Sequence, residues 1–420
     1  MSRIAKCRLC ASADLAPAVV LKQMPISHYL RKGVDEPDPR FSLRFESCQS
    51  CGLLQIVDPV APEVLYRTAD SYLTGFQRPR HIDDLITTAI AYDDPARVVD
   101  IGCNDGALMN ALKRYGYQTI VGIEPNKTAA AAAIHAGHLV HHDFLSLELA
   151  ERLVAEHGAF DAAYLRHVAE HVDDLAGFFA AIRRLLRDGG LLVMELPEVE
   201  LGLARGNPAI LWEEHVNYFT VPLAVHLLER YGFTIVDRRN YAFGGGAVAF
   251  LARKGVEPAG GAVPPPSRPA LRLTRRFEVG LKRYRAALRR VLAKAKAARY
   301  GVVMYGAAPR SCMVACACGI CDAIDHVIDD RSEIQGRLMP GTGCRIRSLE
   351  AASAEFDRPL LCLLGVGSEN EYKVRARLAA HLRTPPVCIS LFPPRDTLAS
   401  IAAAQATIAA RSSSKADHSG

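Results

Sequence analysis

Two matched cysteine pairs stand at the start of the chain. Cys7 and Cys10 form one CxxC pair, and Cys48 and Cys51 form a second, followed at once by Gly52. Two thiolate pairs offered by two tight turns can close a tetrahedral all-sulfur shell around Zn²⁺. Four protein ligands leave no open position for a substrate, so the spacing predicts a structural zinc site. Twelve cysteines in 420 residues do not resemble a small secreted disulfide scaffold. In a reducing compartment, clustered thiols are ligands or small buried residues.

A second group of residues could hold a nucleotide-like ligand. In VVDIGCNDGALMNAL, Asp100, Gly102, Asn104, Asp105 and Gly106 lie where an apolar strand turns into a helix. Missing side chains at Gly102 and Gly106 allow backbone to approach a ligand at the carboxyl end of the strand. About 20 residues on, VGIEPN brings Glu124 and Pro125 to the end of the next strand, where a carboxylate binds ribose hydroxyls. HHDF then places Asp143 and Phe144 after a third strand, suited to an adenine amine and ring face. A nicotinamide dehydrogenase would share this layout, but its GxGxxG turn is absent, since the first turn reads GCNDG.

Candidate proton-transfer groups follow. AYLRHVAEHVDD carries His167 and His171 after a fourth strand, and LWEEHVNYF carries Trp212, Glu213, Glu214 and His215. An imidazole beside a carboxylate is suited to act as a base, because the carboxylate fixes its tautomer and stabilises its charged form. With 14 histidines in the chain, chance pairings are common, and the types alone single out none of them.

These residues need elements to hold them. RVVDIG, TIVGIE, FDAAYL and GLLVMEL are short apolar strands alternating with stretches such as ALMNALKRY and TAAAAAIHA. The pattern predicts an α/β fold with a doubly wound parallel sheet. The sequence divides into a zinc module over 1–75, the sheet domain over 76–255, a Pro/Gly-rich linker and basic helix over 256–300, a second Rossmann-like α/β domain over 301–400, and a disordered tail over 401–420. The net charge of +6 suits an anionic small molecule as well as a nucleic acid. The basic helix lacks an aromatic platform among its charges, so a solvated face is expected. No signal peptide or stretch long enough for a membrane span is visible, which predicts a cytoplasmic protein with no membrane partner. Cys312, Cys316, Cys318 and Cys321 fall where a helix should follow YGAAPR and are read as core. The backbone amides of Gly306 to Arg310 could bind phosphate at that helix's start, or belong to a vestigial nucleotide fold.

The turn with its acidic strand ends resembles the class I methyltransferase family. Taken with the CxxC module, RHVAEHV, EEHVNYF and YGAAPRSCMV…DDRSEIQGRLMPGT, the chain resembles the three-domain sugar C-methyltransferase family to about Leu398. The resemblance implies S-adenosyl-L-methionine as cofactor, a structural Zn²⁺, and a small-molecule acceptor, a nucleoside-diphosphate-linked 4-keto deoxysugar methylated beside its ketone. It implies His215 as base, with His167 as the cleft histidine and Tyr72 lining the site. Glu214 would orient His215, while His167 or Tyr72 would stabilise an enolate oxygen. Trp212 stands where antibiotic-sugar enzymes carry a tyrosine, and an indole cannot offer a phenolic hydroxyl to an oxyanion. Two other readings stay open: O- or N-methylation of another natural-product or glycan precursor, and a zinc-ribbon adaptor binding nucleic acid. The sequence does not fix the oligomeric state.

Overall fold

The computed structural model describes residues 3–67, 80–93, 95–255 and 268–416. In chain order the first eleven strands are β1 (Leu15–Pro25), β2 (Arg40–Cys48), β3 (Leu54–Ile56), β4 (Arg97–Ile101), β5 (Thr119–Ile123), β6 (Leu139–His141), β7 (Phe160–Arg166), β8 (Leu186–Pro197), β9 (Asn217–Tyr218), β10 (Phe233–Tyr241) and β11 (Ala247–Lys254). The chain forms two compact units. The first comprises 1–17, 45–199 and 214–271, and the second 18–44, 200–213 and 272–420. The units interleave, so the first 75 residues are divided between them and the chain passes from one to the other within β1 and β2.

The first unit is built on a seven-stranded sheet in the order β10-β11-β8-β7-β4-β5-β6. β4 pairs in parallel with both β5 and β7, while β11 runs antiparallel to β8 and β10. The chain therefore winds outward from β4 through β5 to β6, then returns to β7 and winds the other way. This makes the carboxyl ends of β4 and β7 the topological switch point, where open α/β sheets bind ligands. The central strands have buried faces on both sides, as expected for β-branched and leucine-rich runs covered by helices. The doubly wound sheet anticipated from the alternating pattern is present, except that β10 and β11 at one edge run antiparallel where a parallel sheet was expected.

The zinc module is joined to this sheet by apolar packing and by its backbone. Cys7, Leu9, Cys48, Cys51 and Leu53 belong to one buried cluster with residues of β4, β5, β7 and β8. Cys7 Sγ lies 3.6 Å from Cys51 Sγ, and Cys10 Sγ lies 3.5 Å from Cys48 Sγ. A tetrahedron with Zn–S bonds of about 2.3 Å has edges of about 3.8 Å, so the four sulfurs fit a Zn²⁺ ion at their centre. Gly52 closes the second turn with φ +86°, donating its N–H to Cys48 O at 2.8 Å. A Cβ there would lie 2.7 Å from Ala270 Cβ, so both conformation and space require glycine.

The turn delivers the chain straight into β3. This strand pairs with β9 (Leu54↔Tyr218, Gln55↔Asn217), and Ile56 N–H donates to Val216 O at 3.0 Å. From the first turn, the buried Arg8 side chain reaches Asp173 Oδ1 at 2.6 Å and Ile56 O at 2.7 Å. The two turns thus grip both the segment that follows His215 and the loop that follows His171.

The second unit holds β12 (Gly301–Tyr305), β13 (His326–Ile328), β14 (Ile346–Arg347), β15 (Leu360–Leu364) and β16 (Val387–Ser390), in the order β14-β13-β12-β15-β16 with parallel pairing throughout. The helix Arg268–Ala297 buries Phe277, Leu281, Tyr284, Leu288, Val291, Leu292 and Ala295, one stripe at helical spacing, and leaves Arg272, Arg275, Arg276, Arg283, Arg289 and Arg290 exposed while Arg285 is half-buried. Cys312 and Cys318 are buried core residues of the helix Pro309–Cys318. The segment read from sequence as a disordered tail is instead helical from Thr397 to Ala416. Ile401, Ala404 and Ile408 recur at helical spacing and are buried in the core, which outweighs the polar composition at the end of the segment. Among the described residues no helix is long and apolar enough to cross a membrane.

The zinc-to-β3-to-β9 connection yields a test. Cys48→Ser should lower bound zinc from near one per chain, measured by elemental analysis, and lower the thermal midpoint by on the order of 10 °C.

Candidate active site

Asp100 is the penultimate residue of β4 and is 2% exposed. Burial raises its pKa; Arg166 opposes the shift and Glu124 adds to it, leaving the group at about 7. Its Oδ2 is buried without a hydrogen-bond partner among the described residues. An unpartnered buried carboxylate oxygen is costly unless something else supplies a donor.

Beyond it, Gly102 takes φ +74° and Gly106 takes φ +80° as the cap of the helix Ala107–Arg114. A Cβ on Gly102 would collide with Val168, and one on Gly106 would lie 2.6 Å from His138 Cδ2. Asn104, with φ +49°, occupies the left-handed region that asparagine tolerates. Both oxygens of the buried Glu124 are engaged by this loop. Oε2 accepts from Asn104 N–H at 2.8 Å and Oε1 from Asn126 N–H at 2.7 Å. Glu124 therefore ties the turn after β4 to the turn after β5, and each oxygen keeps a second lone pair for a hydroxyl. Pro125 offers its carbonyl to His142 Nε2 at 3.1 Å. Asp143 and Phe144 follow β6 on the surface, Phe144 being 53% exposed, with Asp143 Oδ1 accepting Phe144 N–H at 2.9 Å.

On the other side of the switch point sits a buried carboxylate that sequence reasoning missed. Glu195, on β8, is fully buried and accepts from Arg166 Nε at 2.6 Å, His81 Nε2 at 2.8 Å and His167 Nε2 at 3.3 Å. Burial works to raise its pKa, but Arg166, His167 and His81 together hold it well below the carboxylate range. His167 takes φ +53°, and its own N–H donates to Glu195 O at 2.9 Å. A non-glycine residue in this region marks a strained position that the surroundings enforce. Its Nδ1 lies 3.5 Å from Glu170 Oε1. Burial works to lower the pKa of His167, yet Glu170 and Glu195 overcome it and raise the group to about 9. A pKa near 9 favours the imidazolium form of His167 at neutral pH, which suits stabilising a negative charge more than accepting a proton.

Glu170 connects this group to the next. Among Glu170, His171 and His215, one potential ligand atom of each lies within 4.8 Å of the others. The His171 and His215 rings meet edge to face at 4.8 Å, and His171 Nδ1 is 3.9 Å from Glu214 Oε2. His215 is 8% exposed and its ring centroid is 6.4 Å from that of Tyr218. The structure thus brings His167, His171, Glu214 and His215 into one chain of acidic and imidazole groups within the first unit, and adds His81, Glu170 and Glu195. The His171 imidazole, not that of His167, is the one beside His215.

Glu195 and His81 carried no sequence signal of their own, because one sits in an apolar strand and the other opens an ordinary amphipathic helix. Tyr72 lies outside the described residues. Trp212 and Glu213 belong to the second unit. There, Ser27 N–H and Oγ–H donate to Glu213 Oε1 at 2.6 and 2.7 Å, and Trp212 Nε1–H donates to Ser27 Oγ at 2.8 Å. The tryptophan is thereby locked in orientation by its only donor.

Three family models match this chain in succession: "Putative zinc binding domain" over residues 7–66, "Methyltransferase domain" over 75–238, and "C-methyltransferase C-terminal domain" over 270–364. The C-methyltransferase NovU of Streptomyces niveus is 26% identical over 372 residues, a match covering 83% of this chain and 87% of the relative. The ubiquinone biosynthesis O-methyltransferase of Bradyrhizobium sp. (strain ORS 278) is 36% identical over 101 residues, covering 23% of this chain and 38% of the relative.

A glycine turn at the switch point, flanked by buried acids, and the matching methyltransferase model make this protein an S-adenosylmethionine-dependent methyltransferase with a zinc-binding module. More particularly, the succession of zinc-binding, methyltransferase and C-methyltransferase C-terminal models gives the chain the domain order of the three-domain C-methyltransferases, to which it is similar over most of its length.

The charge balance at His167 predicts one imidazole that titrates near pH 9 in a histidine proton NMR titration. Glu195→Gln should lower that midpoint by at least about one unit. Because the folded pKa lies above the ordinary value of 6.5, the stability this group contributes is complete below about pH 6.5. It is lost as pH rises through about 9, and urea unfolding measured across that range should show the loss in the parent protein and a smaller one in the variant.

Proposed function

We propose that this protein transfers a methyl group from S-adenosylmethionine to a carbon next to a ketone in a nucleotide-linked deoxysugar, through an enolate formed at His215. The observation that carries this reading is the juxtaposition of His215 with His171 and Glu214 and, through Glu170, with a positively charged His167. One group can take a proton while another stabilises the oxygen that becomes negative.

The cofactor supplies an electrophilic methyl group on its sulfonium. Asp100, Gly102, Asn104 and Gly106 would hold it on one side, with the orphaned Asp100 oxygen suited to its ammonium group. Glu124 with Pro125 would meet its ribose, and Asp143 with Phe144 its adenine. Cys7, Cys10, Cys48 and Cys51 hold the zinc away from the reaction, all four positions of the shell being taken by sulfur.

His215 removes the proton from carbon. Glu214 stabilises the charge that develops on the imidazoles, and its approach to His171 Nδ1 lets it act on the pair rather than on His215 alone. His167, and Tyr72 if it lines the cleft as the family resemblance implies, would oppose the charge of the enolate oxygen. The match to NovU over most of both chains supports carbon as the accepting atom. The shorter match to ubiquinone O-methyltransferases supports a second reading, in which His215 deprotonates a hydroxyl.

Incubating the enzyme with methyl-labelled S-adenosylmethionine and a panel of nucleotide-linked 4-keto deoxysugars should give a new carbon-bound methyl in the ¹³C spectrum. His215→Ala should reduce turnover by about 10²- to 10⁴-fold while cofactor affinity stays within about twofold. A label on oxygen, without exchange of a substrate C–H in D₂O, would establish the second reading instead. Cofactor binding should also be linked to protons. Pairing Asp100 with a cation pulls its pKa below about 7, so titration calorimetry near pH 6.5 in buffers of different ionisation enthalpy should show proton release that Asp100→Asn abolishes.

A further inference from the structure

The second unit contains a cavity of about 430 Å³, a size that suits a small organic ligand. Its lining includes Arg205, Arg275, Arg276 and Arg283, against one acid, Asp396. Arg276 and Arg283 are seven residues apart on the helix Arg268–Ala297, so they project from one face about two turns apart. Among the described residues, Arg275, Arg276 and Arg283 form no ion pair with a carboxylate. Asp396 is itself engaged at the start of the last helix, where its Oδ1 accepts Ala399 N–H at 3.1 Å.

The floor of the cavity is built to close tolerances. Asn207 Nδ2, Tyr284 Oη and Thr397 Oγ1 all converge on Leu391 O, at 2.9, 3.4 and 3.2 Å. Arg205 Nη1 is fixed on Pro394 O at 2.7 Å, leaving its other N–H groups for a ligand. Beside them the long helix carries Gly280, whose Cβ position would be 2.8 Å from Gly206 Cα. Glycine in a helix interior costs about 1 kcal/mol relative to alanine. Here the close backbone approach requires it and brings the arginine face down to the floor. Like charges gathered around a concavity repel one another, and an anion with several acceptor oxygens relieves that repulsion through charge-assisted, often bidentate hydrogen bonds.

We infer that this cavity is a binding site for a diphosphate group. The inference does not depend on the acceptor proposed above, because the same chemistry could be carried by a nucleotide-linked substrate or by a free nucleoside diphosphate acting from outside the reaction. The test uses inorganic pyrophosphate with the full-length, zinc-loaded protein in titration calorimetry at low and physiological salt, comparing the parent with Arg276→Gln/Arg283→Gln. Both side chains are exposed, so the variant should keep its thermal midpoint and its S-adenosylmethionine affinity.

The expected result is one pyrophosphate per chain, weakened by salt, with affinity at least about tenfold lower in the variant. No binding at low salt, or equal affinity in both proteins, overturns the inference. Once binding is seen, steady-state kinetics separate the sources. Pyrophosphate competing with the acceptor, with a raised acceptor KM in the variant, assigns the cavity to the substrate's own diphosphate. Binding that leaves acceptor KM unchanged assigns it to a separate nucleotide.

Discussion

The pairing of β3 with β9 is the constraint on which the arrangement of the imidazole groups depends. A three-residue strand paired with a two-residue one would be marginal by itself in water. β3 is held on its other edge by antiparallel pairing with β2 (Phe45↔Ile56, Glu46↔Gln55, Ser47↔Leu54), and it emerges directly from the second cysteine turn, which is packed into the same apolar cluster as the parallel sheet. A zinc ion closed by four sulfurs makes the turn stiff. Stiffness there becomes register at β9, and register at β9 becomes the position of His215 two residues before it. Arg8 extends the same grip to Asp173, beyond His171. A metal shell closed by four sulfurs thus bears on where His215, the proposed base, stands.

The second organising feature is the fully buried Glu195. An isolated carboxylate in such a place would be protonated. Three cationic or donor groups keep it charged, and the charge in turn keeps His167 protonated in a left-handed backbone conformation. Breaking one member of such a network leaves an unpaired buried charge, which is far more disruptive than the net contribution of the network suggests. The arrangement separates roles by charge. His167 is held positive beside Glu170 and Glu195, whereas His215 lies against another imidazole. Two histidines with unlike environments are what acid–base chemistry on one substrate needs.

Glu124 performs the equivalent task at the glycine turn after β4. With each oxygen on a different backbone amide, it joins the loops that follow β4 and β5, so the cradle is shaped before anything enters it. Preorganised donors and acceptors lose little freedom on binding.

The sequence by itself determined the periodic and the covalent features. Alternating apolar runs required a doubly wound sheet; GCNDG marked the glycine turn at the carboxyl end of β4; the CxxC pairs specified a metal shell, because ligand geometry depends on residue type and short spacing alone. It also located Glu214 and His215, through a motif whose residues are adjacent in the chain. Only tertiary structure decided the rest. Glu195 meets His81 across more than a hundred residues, and His171, not His167, becomes the neighbour of His215. The end of the chain becomes a helix because Ile401, Ala404 and Ile408 find a core to enter. Contacts between distant segments leave no period in a sequence, and the pKa of a buried group is set by charges that the fold alone brings together.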